Sequence, residues 1–335
     1  MKLITVSIAA YNVEAYLEKC LNSLLIPDLQ RLEVLIQNDG SKDSTPRIAE
    51  EFEKKYPGVF RLVNKENGGY GSTINNSLSM AEGKYFKQLD GDDWYDTENF
   101  AAFVDALEKV DADCVYSPYT EVIEPDMHAR PRQIKDLTPG FRPAGELMKE
   151  RSFKQMHALA YRTEFLRTHG VSIQEKCFYT DQEYVIYPLL QAEKVWIFDK
   201  SVYCYRLGRD GQSVSLAGLR KHHEDHLRVL KRMIGCRETV KREHPALLPA
   251  LDDHLHTLLW TQFTLYLAMG DRKQELKALD LWLKKEHPEL YSGKNPYVGK
   301  RLKLLRATGY GLYPWLTVKG DPFAVQGCKE QAYEI

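Results

Sequence analysis

Residues 3–10 form a continuous apolar run, partly β-branched, the pattern of a strand buried on both faces. Residues 14–25 (EAYLEKCLNSLL) set Leu17, Cys20, Leu21, Leu24 and Leu25 at helical spacing. A second strand is predicted over 32–37. Thr45-Pro46 then reads as an N-cap with proline at the first helical position, opening a helix to about Lys55. A third strand follows at 59–63, a glycine loop at Asn67-Gly68-Gly69-Tyr70-Gly71 and a helix at 72–82. Residues 84–89 lead as a strand into Asp90, 98–109 are helical, and 113–117 are another strand. This alternation predicts an α/β fold, a mainly parallel sheet flanked by helices on both faces. Such sheets bind ligands outside the carboxyl ends of their strands. Three polar clusters fall at those ends: Tyr11-Asn12, Asn38-Asp39-Gly40-Ser41 and Asp90-Gly91-Asp92.

Residues 119–150 read as loop, rich in proline and charge, and 152–215 are mixed. From 216 the pattern is helical, with predicted helices at 219–243, 246–269 and 272–286. The predicted division is a catalytic domain over 1–215 and a helical C-terminal region over 216–335. Composition narrows the classes. A chain of 335 residues with 43% hydrophobic positions can build a sizeable core, and a net charge of -1 gives no global pull toward nucleic acid. The six cysteines are scattered without a Cys-x-x-Cys pair, which argues against a disulfide framework or zinc knuckle and fits a reducing cytoplasm. The N-terminal apolar run reads as a first strand rather than a signal peptide, because Tyr11-Asn12-Val13-Glu14 follows without a small-residue cleavage pattern. No apolar stretch reaches the roughly 18 residues of a membrane span.

The first chemical candidate is Asp90-Gly91-Asp92-Asp93. Two carboxylates separated by one small residue can grip one divalent cation, and hard oxygen ligands suit Mg²⁺ or Mn²⁺. Taken alone, the motif reads as readily as an acidic surface turn. The second is Asn38 to Thr45, where Asp39 at a strand end has the chemistry to accept the N3–H of a uracil ring. Asp-Gly is also a common turn dipeptide.

Four segments in order, VSIAAYN (6–12), EVLIQNDGSKDST (33–45), ENGGYGSTINNSL (66–78) and YFKQLDGDDW (85–94), resemble the inverting family-2 glycosyltransferases with the GT-A type nucleotide-sugar fold. The resemblance implies that Ala9, Tyr11, Asn12, Glu14 and Asp39 lie around the nucleotide. Asn67, Gly68 and Asn75 of the glycine loop and its helix fall on the donor side. Asp90 and Gly91 contact the sugar nucleotide, and Asp92 is the principal ligand of Mn²⁺ or Mg²⁺. The chain departs from the family pattern at Ala9, where proline is usual, at Asn38, often Asp, and at Ile74, often an arginine facing the donor phosphate. Lys65 and Lys87 are the candidates to replace that cation.

The resemblance also places a general base at an acidic pair opening a later helix. Asp181 fits, with Thr180 in place of the usual first acid and Glu183 as the fallback. Acidic residues also simply favour a helix N-terminus. His157 stands either against sugar or phosphate, or as a structural histidine. Arg206 and Ser213 resemble a segment that folds over the donor diphosphate, and the glycine-containing loop 208–213 has the composition of a lid. His222, His223 and His226 have metal-like spacing but sit among charges, so a solvated helix face is expected. Residues 300–315 join Lys300, Arg301, Lys303 and Arg306 to leucines, tyrosines and Trp315. That composition suits either peripheral membrane contact or a helix packed on the protein.

The expectation is metal-dependent transfer of a sugar, UDP-linked in its donor, to a glycan, lipid-linked or polyol-phosphate acceptor on the cytoplasmic side, in capsule, exopolysaccharide or cell-wall synthesis. Two rivals stand beside it. A nucleotidyltransferase would want a basic glycine-rich loop after the first strand, where Ala9-Ala10-Tyr11-Asn12 stands instead. A non-catalytic sugar-nucleotide or glycan-binding module would have no need of both Asp92 and Asp181.

Overall fold

The continuous apolar runs form the centre of the main sheet. The computed structural model describes residues 2–208, 215–292, 299–320 and 322. Two compact units divide the chain, Met1–Arg209 and Asp210–Ile335. In the first unit the strands are β1 (Ile4–Ala10), β2 (Leu32–Asn38), β3 (Phe60–Asn64), β4 (Tyr85–Asp90), β5 (Trp94–Tyr95), β6 (Cys114–Tyr116), β7 (Tyr119–Ile123), β8 (His128–Arg132), β9 (Gly140–Pro143), β10 (Leu159–Arg162), β11 (Lys194–Ile197) and β12 (Tyr203–Leu207). Its helices are α1 (Leu17–Asn22), α2 (Thr45–Lys55), α3 (Tyr70–Met80), α4 (Thr97–Leu107), α5 (Ala144–Leu147), α6 (Thr163–Thr168) and α7 (Asp181–Leu189).

Eight strands make the main sheet in the order β3-β2-β1-β4-β10-β6-β11-β9, and a smaller sheet runs β5-β12-β7-β8. β1 pairs in parallel with β2 on one side and β4 on the other. Its Ile4, Val6 and Ile8 are buried, as are Val34, Ile36, Phe86 and Leu89 on the neighbouring strands. Each such side chain contributes about 1.5–3 kcal/mol on leaving water. The register fixes the functional edge: Ala9 lies opposite Asp90, and Ala10 opposite Asn38. All three polar clusters therefore reach the same edge. The predicted mainly parallel α/β sheet and the helical C-terminal region are both present.

Two boundaries differ from the sequence reading for physical reasons. Helix α1 starts at Leu17 rather than 14, because the Val13 amide donates to Thr45 Oγ1 (2.9 Å) at the start of α2 and the Glu14 amide to Asp43 Oδ2 (3.1 Å) in the loop before it. Residues 119–150 contain the antiparallel pair β7–β8 and the strand β9 rather than loop. Both outer strands carry proline and charge, as edge strands do. Arg132 on β8 pairs with the buried Glu121 on β7 at 3.0 Å.

The second unit contains α8 (Leu216–Lys221), α9 (His223–Gly235), α10 (Arg237–Glu243), α11 (Leu248–Met269), α12 (Lys273–Glu286), α13 (Pro288–Ser292), α14 (Gly299–Ala307) and α15 (Tyr313–Leu316). The predicted helix over 219–243 is thus three helices. His226 is not on a solvated face: it is buried, its Nδ1 2.6 Å from Gln262 Oε1. The 300–315 stretch divides. Leu302, Leu305, Tyr310 and Tyr313 are buried, and Arg306 is held by Asp280 (2.7 Å) with its guanidinium 3.6 Å over the Tyr291 ring. Lys300, Arg301, Lys303, Leu304 and Trp315 remain exposed. Among the described residues no helix is long and apolar enough to cross a membrane.

Candidate active site

The loops after β1 and β2 are laced together. Asn12, in the left-handed region at φ 51, donates its amide to Ser41 Oγ (3.1 Å) and accepts from the Lys42 amide (2.8 Å). Glu14 accepts from the Ser44 amide (2.7 Å). Both expected nucleotide contacts thus hold loop to loop, while Tyr11, 52% exposed, stands at the rim. Asn38 shows why an amide serves here. Its Nδ2 donates to Asn64 Oδ1 (2.7 Å) while its Oδ1 accepts from the Ser41 amide (3.0 Å), a pairing that needs donor and acceptor on one side chain.

Asp39 is 3% exposed and anchors the glycine loop. Its carboxylate accepts from the amides of Gly68 and Gly69, both at 2.9 Å, and from Lys65 Nζ. Asn67 Nδ2 donates to the Asp39 carbonyl (2.9 Å). Lys65 also donates to Ser72 Oγ (2.8 Å). Asn75 clamps the segment before α7: Nδ2 donates to Ile173 O (2.9 Å) and Oδ1 accepts from the Ile173 amide (2.9 Å). Gly71 permits this approach, since a Cβ there would stand 1.9 Å from Gln174 O.

The acidic turn leaves β4 beside β1. The Gly91 amide donates to Ala9 O (3.0 Å), and a Cβ on Gly91 would lie 3.0 Å from both Ala9 O and Val13 Cγ2. Asp93, 2% exposed, accepts from Tyr203 Oη (2.7 Å) and from the Arg206 amide (2.7 Å). Burial, then the charges of Asp92 and Asp90, pushes the Asp93 carboxyl well above the usual carboxylate range. Arg206 donates through Nε to Asp92 O (2.9 Å), pairs with Glu124, and lies 4.8 Å from the Tyr16 ring and 4.9 Å from the Trp94 ring. It braces the turn from behind. Ser213 and the loop 209–214 lie outside the described residues.

Asp90, Asp93 and His157 each present one ligand atom, all within 4.8 Å of one another. Two carboxylates and an imidazole at that spacing fit a divalent ion. His157 is stacked on Tyr205 (4.1 Å between centroids, 26°) and edge-on to Tyr203 (4.6 Å). Burial, then the charge of Lys87, lowers its pKa to about 3, so the ring is neutral at physiological pH.

Lys87 is not a phosphate-facing cation. It is fully buried and donates to the carbonyls of His157 (2.9 Å) and Leu159 (3.2 Å). Burial lowers its pKa from 10.5 to about 7. In that window the unfolded chain binds the extra proton, so this group makes stability rise with pH between those values, at up to about 1.4 kcal/mol per unit. Lys87→Met is expected to remove that slope. Urea midpoints of the two proteins from pH 7 to 9.5 check it, and parallel curves would refute it.

Asp181 opens α7. Burial raises its carboxyl pKa, against the opposing hydrogen bond from Gln182 Nε2 (2.9 Å). Glu183, the fallback base, is fully buried and accepts from both the backbone amide (2.9 Å) and the side-chain amide of Gln174. It holds the 173–177 segment. Asp181 and the acidic turn converge on two phenols: burial, then the charges of Asp90 and Asp181, raises the Tyr70 hydroxyl well above its ordinary value, and burial, then the charges of Asp93, Asp90, Asp92 and Asp181, does the same to Tyr205. Asp93, Tyr70, Tyr203 and Tyr205 fall inside motifs the sequence displays, the acidic turn, the glycine loop and the Tyr203–Arg206 segment, but none of the four stands out there as a site residue by itself.

Residues 5–170 match the family model of Glycosyl transferase family 2. It is 27% identical over 213 residues to the uncharacterized glycosyltransferase EpsJ of Bacillus subtilis, a match that spans 61% of each chain. The structure is similar to S. aureus TarS 1–349 in complex with UDP-GlcNAc, at 19% identity and a TM-score of 0.57, covering 92% of each chain. It is also similar to a mannosyltransferase of Pyrobaculum calidifontis in complex with GDP-Man and Mn²⁺, at 18% identity and a TM-score of 0.51, covering 94% of this chain and 85% of that one. At these identities the likeness is one of fold.

Proposed function

We propose that this chain transfers a sugar from a nucleotide-diphosphate donor, UDP-linked, to an acceptor hydroxyl with inversion at the anomeric carbon. The carrying observation is the convergence of Asp181 and the Asp90–Asp93 turn on Tyr70 and Tyr205 at the sheet edge where α/β folds bind ligands. Asp181 takes the proton of the acceptor hydroxyl as its oxygen forms the new bond to the anomeric carbon. The bond from that carbon to the diphosphate breaks in the same displacement, and the nucleotide leaves. A divalent ion at the acidic turn supplies charge neutralisation to the leaving diphosphate. Asp92 is the ligand implied by the family resemblance. Asp39, Lys65 and the 67–69 backbone form the wall for the base and ribose.

Support for the donor class comes from the two solved relatives, one holding UDP-GlcNAc and the other GDP-Man with Mn²⁺. A glycan, lipid-linked or polyol-phosphate acceptor at the cytoplasmic face of a membrane suits this reading. The exposed Lys300, Arg301 and Lys303, with Leu304 and the 77%-exposed Trp315, form the basic and apolar surface that would meet an anionic headgroup layer. The test is a panel of UDP-, GDP- and dTDP-sugars with Mn²⁺ or Mg²⁺, scored for transfer and for donor hydrolysis. Turnover of a UDP-sugar is expected. Calorimetric binding of UDP without turnover of any donor would make the chain a binding module and sink the proposal.

A further inference from the structure

We propose that His157 is a ligand of the divalent ion at the acidic turn, alongside Asp90 and Asp93, and that it makes the site prefer Mn²⁺ to Mg²⁺. The inference deepens the reading of the turn as an ion site and adds to Asp92 rather than displacing it. Three observations carry it. The ligand atoms of Asp90, Asp93 and His157 lie within 4.8 Å of one another, so small side-chain shifts would let one ion touch all three. The Nδ1 atom of His157 is buried and has no hydrogen-bond partner among the described residues. A buried polar atom without a partner is costly, and an ion would give that nitrogen its partner. Finally, two carboxylates stand close together with Asp93 almost wholly out of water, an arrangement that a divalent charge stabilises.

The imidazole is also held in place before any ion arrives. Its face rests on Tyr205 and its edge on Tyr203. Its backbone carbonyl is fixed to β4 by the buried Lys87, whose second bond goes to Leu159. Lys87 is thus a positioning residue for His157, joining the strand that ends in Asp90 to the turn Met156–Ala158. Preorganised support of this kind is what metal ligands receive from the residues behind them. The donor set decides the preference. Mg²⁺ takes oxygen ligands and keeps its water, whereas an imidazole nitrogen suits transition metals.

Mn²⁺ itself is the probe, in the full-length protein, alone and with UDP. Pulsed electron paramagnetic resonance of the wild-type complex is expected to show ¹⁴N coupling to Mn²⁺. His157→Gln is expected to lose that coupling and to weaken Mn²⁺ binding about tenfold or more by calorimetry, while Mg²⁺ binding changes little. A wild-type Mn²⁺ complex without nitrogen coupling, or a folded His157→Gln protein with unchanged Mn²⁺ affinity, overturns the assignment. If the variant does not fold, the wild-type spectrum decides alone. Nitrogen-coupled Mn²⁺ in a protein that turns over no donor would sink the transferase reading and leave this one standing. Transfer activity with an all-oxygen Mn²⁺ site would do the reverse.

Discussion

Asp181→Asn lowers the rate of sugar transfer by about 10²–10⁴-fold, the contribution of a positioned general base, while UDP binding stays within about twofold. The amide has nearly the shape of the carboxylate and keeps an oxygen for the Gln182 side chain, so the start of α7 is preserved. The variant also gains stability. In the wild type, burial raises the carboxyl pKa, so the folded state holds its proton at pH values where the unfolded chain has released it. Stability therefore falls as pH rises through that window. Asn has no proton to lose, so it removes the fall, and its thermal midpoint gains on the wild type as pH rises through the window. The same shift moves the acid limb of the wild-type rate profile above the ordinary range for Asp, because the base acts only when deprotonated. Glu183→Gln gives the opposite signature. It weakens the carboxylate's hold on both Gln174 amides, costs about 1–3 kcal/mol of stability, and moves the acid limb only slightly downward, because the Glu183 charge acts on the Asp181 carboxyl less than burial and its hydrogen bonds do. Transfer rates from pH 4 to 8, with melting curves of all three proteins, separate the two residues. Full activity in a folded Asp181→Asn protein would end its candidacy.

What could be read from the sequence follows the range of the interactions. β1 and the centre of β2 announce themselves because both faces of each are covered, which leaves a largely apolar run, whereas Lys87 and Gln88 interrupt β4. The β7–β8 pair does not, because its outer strand is exposed, prolines interrupt it, and its stabilising contact is an ion pair rather than an apolar stripe. The same limit applies at the site. Asp90 is visible as part of a local acidic motif, and Asp181 only through the family resemblance. What Asn75 does is not, since its amide grips a segment 98 residues away. Lys87 sits in a strand next to the acidic turn, where a lysine reads naturally as a phosphate contact. Its burial, and the carbonyls it holds 70 and 72 residues on, appear only once β4 is paired with β10. Asp39, read from its position as a base-recognition group, proves to anchor the glycine loop through three donors. That role depends on where the loop returns in space.

Arg206→Met is expected to destabilise the first unit by about 2–3 kcal/mol and to weaken UDP binding at the same time. The cost sits below that of breaking a wholly buried pair, because the partner Glu124 side chain remains 26% exposed and keeps part of its hydration. Met refills much of the space between the Tyr16 and Trp94 rings, so the loss is electrostatic more than volumetric. It leaves Glu124 without its guanidinium and Asp92 O without the Nε donor. With that donor gone, the turn carrying Asp90, Asp92 and Asp93 loses one of its ties, and donor affinity falls because the ligands are less firmly fixed. An arginine whose task was to grip the donor diphosphate would behave differently: binding would weaken with the thermal midpoint unchanged, and Glu124→Gln would be silent. A brace makes Glu124→Gln lower both quantities, and makes the double variant less harmful than the sum of the two single ones, since both remove the same pair. Melting curves and UDP titrations of the four proteins in this cycle decide between brace and grip, and strictly additive losses would count against the brace.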